Sequence, residues 1–220
     1  MKHLKEEIRR HTAQLLSRYG ELTPITDQIA EAYRVMEKTY ERGCKLLIAG
    51  NGGSAADAGH MAGELMKRFR IHRPLPKELQ ERLMQAGGDR GAALAQRLDM
   101  PLTALSLSAH EPLVTAIIND MGGEDIFAQQ ILGVGQKGDT LLAISTSGSS
   151  ENILRAIVMA RALDMKVIGL TGKDGGKMAS LCDVTVRAPA TETYQVQEYH
   201  LPIYHCWCLM LEERFFGKNP

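Results

Sequence analysis

Cys44-Lys45-Leu46-Leu47-Ile48-Ala49-Gly50 followed by Asn51-Gly52-Gly53-Ser54 is the stretch that decides the fold. A short apolar run bounded by turn residues reads as a buried strand, and the Asn-Gly-Gly-Ser turn opens a helix over roughly 54–70. The unit recurs. Leu102 to Ser108 reads as a strand with a helix around 112–118. Asp139 to Thr146 is another, leading through Ser147-Gly148-Ser149-Ser150 into a helix that runs to about Ala162. Met165 to Leu170 is a fourth strand, followed by a short helix at 176–182. Val184-Thr185-Val186 is the last strand, and Tyr194 to about Phe215 a final helix. Strands alternating with helices predict an α/β fold, a parallel sheet with helices on both faces. Ligands then bind beyond the C-terminal ends of the strands, where both Gly/Ser-rich turns fall.

Residues 1–43 read as two N-terminal helices; Ile25, Ile29, Tyr33 and Met36 keep a helical stripe in the second, with Thr23 or Thr26 as its cap. A length of 220 residues suits a single domain, 1–220. Residues 71–100 break the rhythm: Arg73-Pro74-Leu75-Pro76, a helix carrying Leu79, Leu83 and Met84, then Gly87-Gly88, then a second helix carrying Leu94 and Leu98. This inserted helical segment reads as a lid, an oligomer contact or a passive elaboration, with a structural role ranked ahead of a catalytic one.

Lys+Arg and Asp+Glu each number 26, so the balanced chain offers no general attraction to nucleic acid or anionic lipid. No apolar run is long enough to span a membrane, and the charged start Met1-Lys2-His3-Leu4-Lys5-Glu6-Glu7 lacks the apolar core of a signal peptide. The expectation is a cytoplasmic protein, with no membrane partner and no direct nucleic-acid binding. Its four cysteines are expected to be reduced there. Cys206 and Cys208, two apart on a helix, point to different sides and read as packing residues rather than a metal pair.

Ser145-Thr146-Ser147-Gly148-Ser149-Ser150 places five hydroxyls in six residues where a strand gives way to a helix. The first N–H groups of a helix lack partners and favour an anion. The plain alternative is that these side chains cap the helix. The Asn51-Gly52-Gly53-Ser54 turn at the same sheet edge tips the balance toward phosphate, since Gly-Gly allows close backbone approach. With no Lys in the turn and no G-x-G-x-x-G, a small monophosphate fits better than a nucleotide. His60 and Glu64, four apart on the following helix, share a face and are able to ligate a divalent metal; such pairs are more often plain surface pairs. His200 and His205 on the last helix read by default as partly buried and hydrogen-bonded. Pro202 is expected to bend that helix.

Together these blocks resemble the sedoheptulose-7-phosphate isomerase family of sugar isomerase (SIS) domain proteins. The resemblance rests on Ala49 to His60 with Glu64, Ile144 to Ser150, Leu170 to Ala179, and Val196-Gln197-Glu198 with His205. It covers nearly the whole chain except about 71–100. It implies a homotetramer with active sites where subunits meet, and phosphate held by Ser54, Ser145, Ser147 and Ser150 beside Gly52 and Gly53. Asn51, Arg68, Asp120 and Thr146 would lie near the sugar. One zinc per site would be held by His60, Glu64, Gln197 and His205, with Glu64 and His205 as the acid–base pair. Gln197 and His205 are eight apart, about 12 Å along a regular helix, so they reach one ion only if they lean together or the helix bends. The chain departs from the family at Pro202 and at Tyr194, where the family carries an acidic residue. The implied reaction is aldose–ketose isomerisation of a sugar phosphate through an enediol. The alternative is a non-catalytic relative of the initiator-associating protein that binds DnaA; that relative lacks counterparts of Glu64 and His205. A sugar-phosphate-sensing regulator ranks last, since no basic recognition helix is visible.

Overall fold

The computed structural model describes residues 6–217. Five strands, β1 (Leu46–Gly50), β2 (Ala104–Ser106), β3 (Thr140–Ser145), β4 (Lys166–Thr171) and β5 (Val184–Arg187), form one sheet in the order β2-β1-β3-β4-β5. All neighbours are parallel; β1 pairs with β3 from Leu46↔Thr140 to Gly50↔Ile144. β1 and β3 are buried along their whole length, which explains their unbroken apolar runs: a parallel strand covered on both faces has no solvent side to alternate with.

Leu46, Ile48, Leu142, Ile144, Ile168 and Leu170 face one core, closed by α1 (Glu6–Arg18), α2 (Thr26–Glu41), α3 (Gly53–Met66) and α8 (Thr193–Phe216). Leu47, Ala49, Leu141, Ala143 and Val167 face the other, closed by α5 (Glu111–Asp120), α6 (Ile126–Val134) and α7 (Glu151–Ala162). This is the expected three-layer α/β/α arrangement. From β1 the chain first moves outward to β2, then returns to β3 on β1's other side. The C-terminal ends of β1 and β3 therefore flank the point where strand order reverses, the place where such sheets open a crevice.

Four expectations are corrected. Helix α6 was not foreseen, although Ile126, Phe127, Gln130 and Ile131 form a helically spaced buried stripe. Thr23 and Thr26 do not cap α2: their hydroxyls donate backwards, to Gly20 and Thr23 carbonyls at 2.6 and 2.7 Å, and the N-cap is Ile25. Helix α3 stops at Met66, short of 70. Helix α8 runs unbroken past Pro202; the proline's missing N–H costs one bond in 24 residues whose packed faces hold the rest. The two helices expected at 71–100 are present as α4 (Lys77–Arg97), which reverses at Gly88 (φ 51°). A Cβ on Gly91 would lie 1.8 Å from the Leu83 carbonyl oxygen, so the two arms of this hairpin meet backbone to backbone. Cys206 and Cys208 are buried, as expected, and burial pushes the Cys206 thiol up to about 12.

The hairpin's base is fixed by a buried ion pair that the sequence did not reveal. Arg73 and Glu212 are 0% and 1% exposed, with Nη2 2.8 Å from Oε1. Arg73 also donates to the Leu65 carbonyl at 2.7 Å and the Glu64 carbonyl at 3.2 Å, satisfying acceptors at the end of α3. Glu212 accepts from the backbone N–H of Phe69 (2.7 Å) and Arg70 (2.8 Å). The guanidinium lies 4.9 Å from the centre of the Phe216 ring.

Candidate active site

Two turns sit on the crevice between β1 and β3. At the first, β1 meets α3 so closely that a Cβ on Gly50 would lie 2.4 Å from the Ser54 carbonyl. Gly52 (φ 54°) is the N-cap of α3 and offers no side chain to its N–H groups; Ser54 is buried. At the second, Ser150 is the N-cap of α7, but its hydroxyl caps nothing: it pairs with Ser145 Oγ at 3.2 Å. Ser147 Oγ accepts from Ser149 N at 3.2 Å. The capping reading of these serines is therefore wrong for α7. Both helices present bare N-termini to one crevice, with hydroxyls beside them, which is the arrangement that holds an anion.

The conformation of the second turn is imposed from below. Gly148 (φ 62°) has no room for a Cβ, which would lie 2.2 Å from the Gly175 carbonyl; Gly148 accepts from Met178 N at 2.9 Å, and Thr146 accepts from Gly172 N at 3.0 Å. The Gly172–Met178 loop thus braces the hydroxyl-rich turn. Across the crevice, Asn51 and Asn152 exchange two hydrogen bonds of 2.9 Å, joining the β1 turn to α7. Asn152 was missed in the sequence, because only its partner lies in a recognisable turn.

A second cluster lies further along α3, which runs side by side with α8. His60 Nε2 is 3.5 Å from Glu64 Oε1, and Lys67 Nζ holds the other carboxylate oxygen at 3.0 Å. The His60 and His205 rings meet edge to face, with centroids 4.9 Å apart. Tyr204 donates to Asp57 Oδ1 at 3.2 Å and lies 3.0 Å from His60 Nδ1. The hydroxyl has one proton and gives it to Asp57, so in a neutral imidazole His60 Nδ1–H donates to the Tyr204 oxygen and Nε2 carries the lone pair. That lone pair faces the Glu64 carboxylate, an acceptor opposite an acceptor, so the gap suits a cation or a proton. Asp57 and Tyr204 fix the imidazole from behind, as outer groups do for metal-binding histidines. Sequence reading gave them no role, although Asp57, His60 and Glu64 follow helical spacing.

His205 Nε2 is buried without a partner. Burial, then the neighbouring His60, lower its pKa, with Glu64 opposing; it stands as a neutral imidazole at pH 7. Burial raises the pKa of Asp57, with the Tyr204 hydrogen bond and His60 opposing. His60, Glu64 and His205 are thus brought together, as the sequence suggested. Gln197 is not with them: its amide nitrogen packs where a Cβ on Gly53 would be, 2.4 Å away, two turns of α8 from His205. Among the described residues no three His, Cys, Asp or Glu side chains already converge on a metal position. Arg68 is engaged elsewhere, its Nε 2.7 Å from Asp99 at the foot of the hairpin. Asp120, at the exposed end of α5, accepts from Asn119 at 2.8 Å.

Beneath the turns, His200 is fully buried and donates Nε2–H to the Thr171 carbonyl at 3.3 Å. Burial pushes its pKa down to about 4, against that hydrogen bond.

Comparison with known proteins gives the family. The family model for the SIS domain matches residues 10–85 and 84–172. A phosphoheptose isomerase of Shewanella sp. (strain ANA-3) is 39% identical over 198 residues, covering 89% of this chain and 87% of that protein. The solved phosphoheptose isomerase of Neisseria gonorrhoeae superposes with a TM-score of 0.72 at 30% identity, covering 94% of this chain and 98% of that one. That of Francisella tularensis superposes with a TM-score of 0.73 at 31% identity, covering 94% and 97%.

Proposed function

The chain belongs to the SIS-domain family, and we propose that it is a phosphoheptose isomerase, interconverting sedoheptulose 7-phosphate and an aldose phosphate. The observation that carries this reading is the pairing of two uncapped, hydroxyl-rich helix starts, those of α3 and α7, with the Glu64–His205 cluster that α3 and α8 bring together. The phosphate lies on Ser54 and the Ser145–Ser150 turn, with Asn51, Gly52, Gly53 and Thr146 at its rim. Glu64 takes a proton from C1 of the open-chain ketose, an enediol forms, and the proton returns to C2. His205, neutral and with an unpartnered nitrogen, carries a proton between O1 and O2. The likeness to phosphoheptose isomerases favours this reading over a non-catalytic partner of the DnaA type, which has no use for the pair.

Zinc belongs to the proposal. The lone pair of His60 Nε2, the Glu64 carboxylate and the orphaned His205 Nε2 suit its donor chemistry. Gln197 would complete the set only after leaving Gly53. Bound there, zinc would polarise the substrate carbonyl. Glu64 would be released from Lys67 to serve as base.

A homotetramer completes the site. Ser54 and Glu64 are ten residues apart on α3, about 15 Å along its axis, a long reach for one heptulose phosphate. Assembly would set one chain's turns against another chain's Glu64 and His205, and bring Asp120 and Arg68 to the sugar. Exposed Met66, Leu113, Ile118, Met121, Leu132 and Val158 supply apolar surface for it. No described helix is long and apolar enough to cross a membrane, and four unpaired cysteines suit the cytoplasm. The test is incubation with sedoheptulose 7-phosphate in deuterated water. Deuterium entering the aldose at C2 supports the mechanism, and no turnover with any heptose, hexose or pentose phosphate overturns it.

A further inference from the structure

The inserted segment 71–100 meets the body of the fold at its foot, and there Asp99, with a side chain 8% exposed, collects three hydrogen bonds. Its Oδ2 accepts from Arg68 Nε at 2.7 Å. Its Oδ1 accepts from His72 Nδ1 at 3.0 Å and from the Arg73 backbone N–H at 3.1 Å. Burial works against ionisation, but the hydrogen bonds from Arg73, Arg68 and His72 outweigh it and hold the pKa down to about 2. Asp99 is therefore a carboxylate at neutral pH, bonded to three members of the basic run from Lys67 to Arg73.

Two features set this contact apart from a surface ion pair. The first is anchorage. The Met100 N–H donates to the Arg73 carbonyl at 2.7 Å and the Leu102 N–H to the Leu65 carbonyl at 2.9 Å, lacing the residues on either side of the hairpin to the end of α3. Arg73 is locked in turn by the buried Glu212. A carboxylate fixed in this way dictates the direction of its partner. The second is that Arg68 is held through Nε. A guanidinium carries five N–H donors in a planar fork. Asp99 takes one of them, and the two Nη groups keep the rest on a side chain that is 47% exposed. The segment that carries Arg68 borders the Glu64–His205 cluster. Its chain neighbours are Lys67, whose Nζ is 3.0 Å from Glu64, and Phe69, whose ring centre is 5.6 Å from that of His205.

We infer that Asp99 is a positioning residue for the isomerase reaction: it holds Arg68 by Nε and so presents the Nη pair as a preset fork for two oxygens of the sugar phosphate. The inference rests on the proposed function, which brings Arg68 to the sugar. Asp99 itself touches no substrate; it acts through Arg68, as outer carboxylates orient the side chains that bind a metal. Its contribution is preorganisation. An arginine left free to rotate must be immobilised when substrate binds, which corresponds to about two- to tenfold in affinity. All three bonds to Asp99 are made within one chain, so a subunit packed against this foot leaves them in place. The carboxylate belongs to the segment that the family resemblance does not cover, so the insertion gives this chain its own means of setting an arginine beside the site.

The experiment is a double-mutant cycle on the full-length protein, Asp99→Asn against Arg68→Met, read in the isomerisation of sedoheptulose 7-phosphate. Asp99→Asn should raise KM about two- to tenfold and change kcat by less than about twofold. Arg68→Met should raise KM further. In the Arg68→Met background Asp99→Asn should add nothing to KM, because the residue through which it acts is gone. The same effect of Asp99→Asn with and without Arg68, or a fall in kcat at unchanged KM, would make Asp99 a brace for the fold and overturn the inference. A second reading needs no substituted protein to fold. In the parent, the ¹⁵N-resolved Arg68 Nε–H signal should exchange slowly with water and shift as sedoheptulose 7-phosphate is added. A signal lost to fast exchange, or one that ignores the sugar phosphate, overturns the inference too. A parent that turns over no sugar phosphate defeats the proposed function and this inference together, whereas turnover with an additive cycle defeats the inference alone.

Discussion

Breaking the Arg73–Glu212 pair should cost more stability than any other single polar change described above, and the two halves should not cost the same. Both side chains are out of water, at 0% and 1% exposure. Removing one partner of such a pair typically costs about 3–5 kcal/mol, because the other is left as an uncompensated buried charge. Glu212→Leu strands the guanidinium and also orphans the N–H groups of Phe69 and Arg70, so it belongs at the upper end, near 5 kcal/mol. Arg73→Met leaves the carboxylate its two backbone donors and frees the Glu64 and Leu65 carbonyls; it belongs nearer 3 kcal/mol. For a chain of this size, about 2–4 °C per kcal/mol gives Tm losses of roughly 10–20 °C for Glu212→Leu and 6–12 °C for Arg73→Met. Thermal unfolding at one fixed protein concentration reads both, since assembly makes Tm concentration-dependent. A loss under about 1 kcal/mol for Glu212→Leu, or Arg73→Met as the worse of the two, would refute the reasoning.

Glu64→Gln should lower kcat by about 10²–10⁴ with little change in substrate affinity, measured by steady-state kinetics and calorimetry; near-parental turnover would remove Glu64 as the base. Ser147→Ala should weaken sugar-phosphate binding by about 1.5–3 kcal/mol, read as a smaller ligand-induced rise in Tm. His200 has a folded pKa of about 4, below the ordinary value of about 6.5. The unfolded chain therefore takes up a proton that the folded one refuses, so stability is whole above about pH 6.5 and falls by about 3 kcal/mol as pH drops toward 4. Denaturant titrations of the parent and His200→Asn should show that slope lost in the variant. Light scattering at micromolar concentration should give four times the chain mass, and a monomer would count against a shared site.

The sheet was legible because parallel strands buried on both faces advertise themselves as unbroken apolar runs, each followed by a turn. α6 escaped because it is the second helix between β2 and β3, where the repeating unit calls for one, although its buried stripe was there to be read. In the site, the turns and the His60–Glu64 spacing were local and therefore visible. What sequence could not supply was orientation: the Tyr204–Asp57 support of His60, the Asn152 partner of Asn51 and the Arg73–Glu212 pair join residues 101 to 147 positions apart. Local pattern carries no information about which distant groups will meet. Nor could it say that Ser150 turns to Ser145 instead of capping α7, because both choices use the same hydroxyl.

The Asn51–Asn152 contact has a meaning of its own. A primary amide carries two N–H groups and two carbonyl lone pairs, and each asparagine here spends one of each on the other. The mouth of the crevice is thus closed by something like a miniature base pair, uncharged and self-complementary. Each partner still has one donor and one acceptor to turn outward, the same pair of functions that a sugar hydroxyl presents. The clasp also tolerates no charge: an aspartate on either side has no N–H to return, and two aspartates would repel. The ends of β1 and α7 are therefore held at one spacing by a neutral gauge, which leaves the negative charge of an incoming phosphate unopposed at that point.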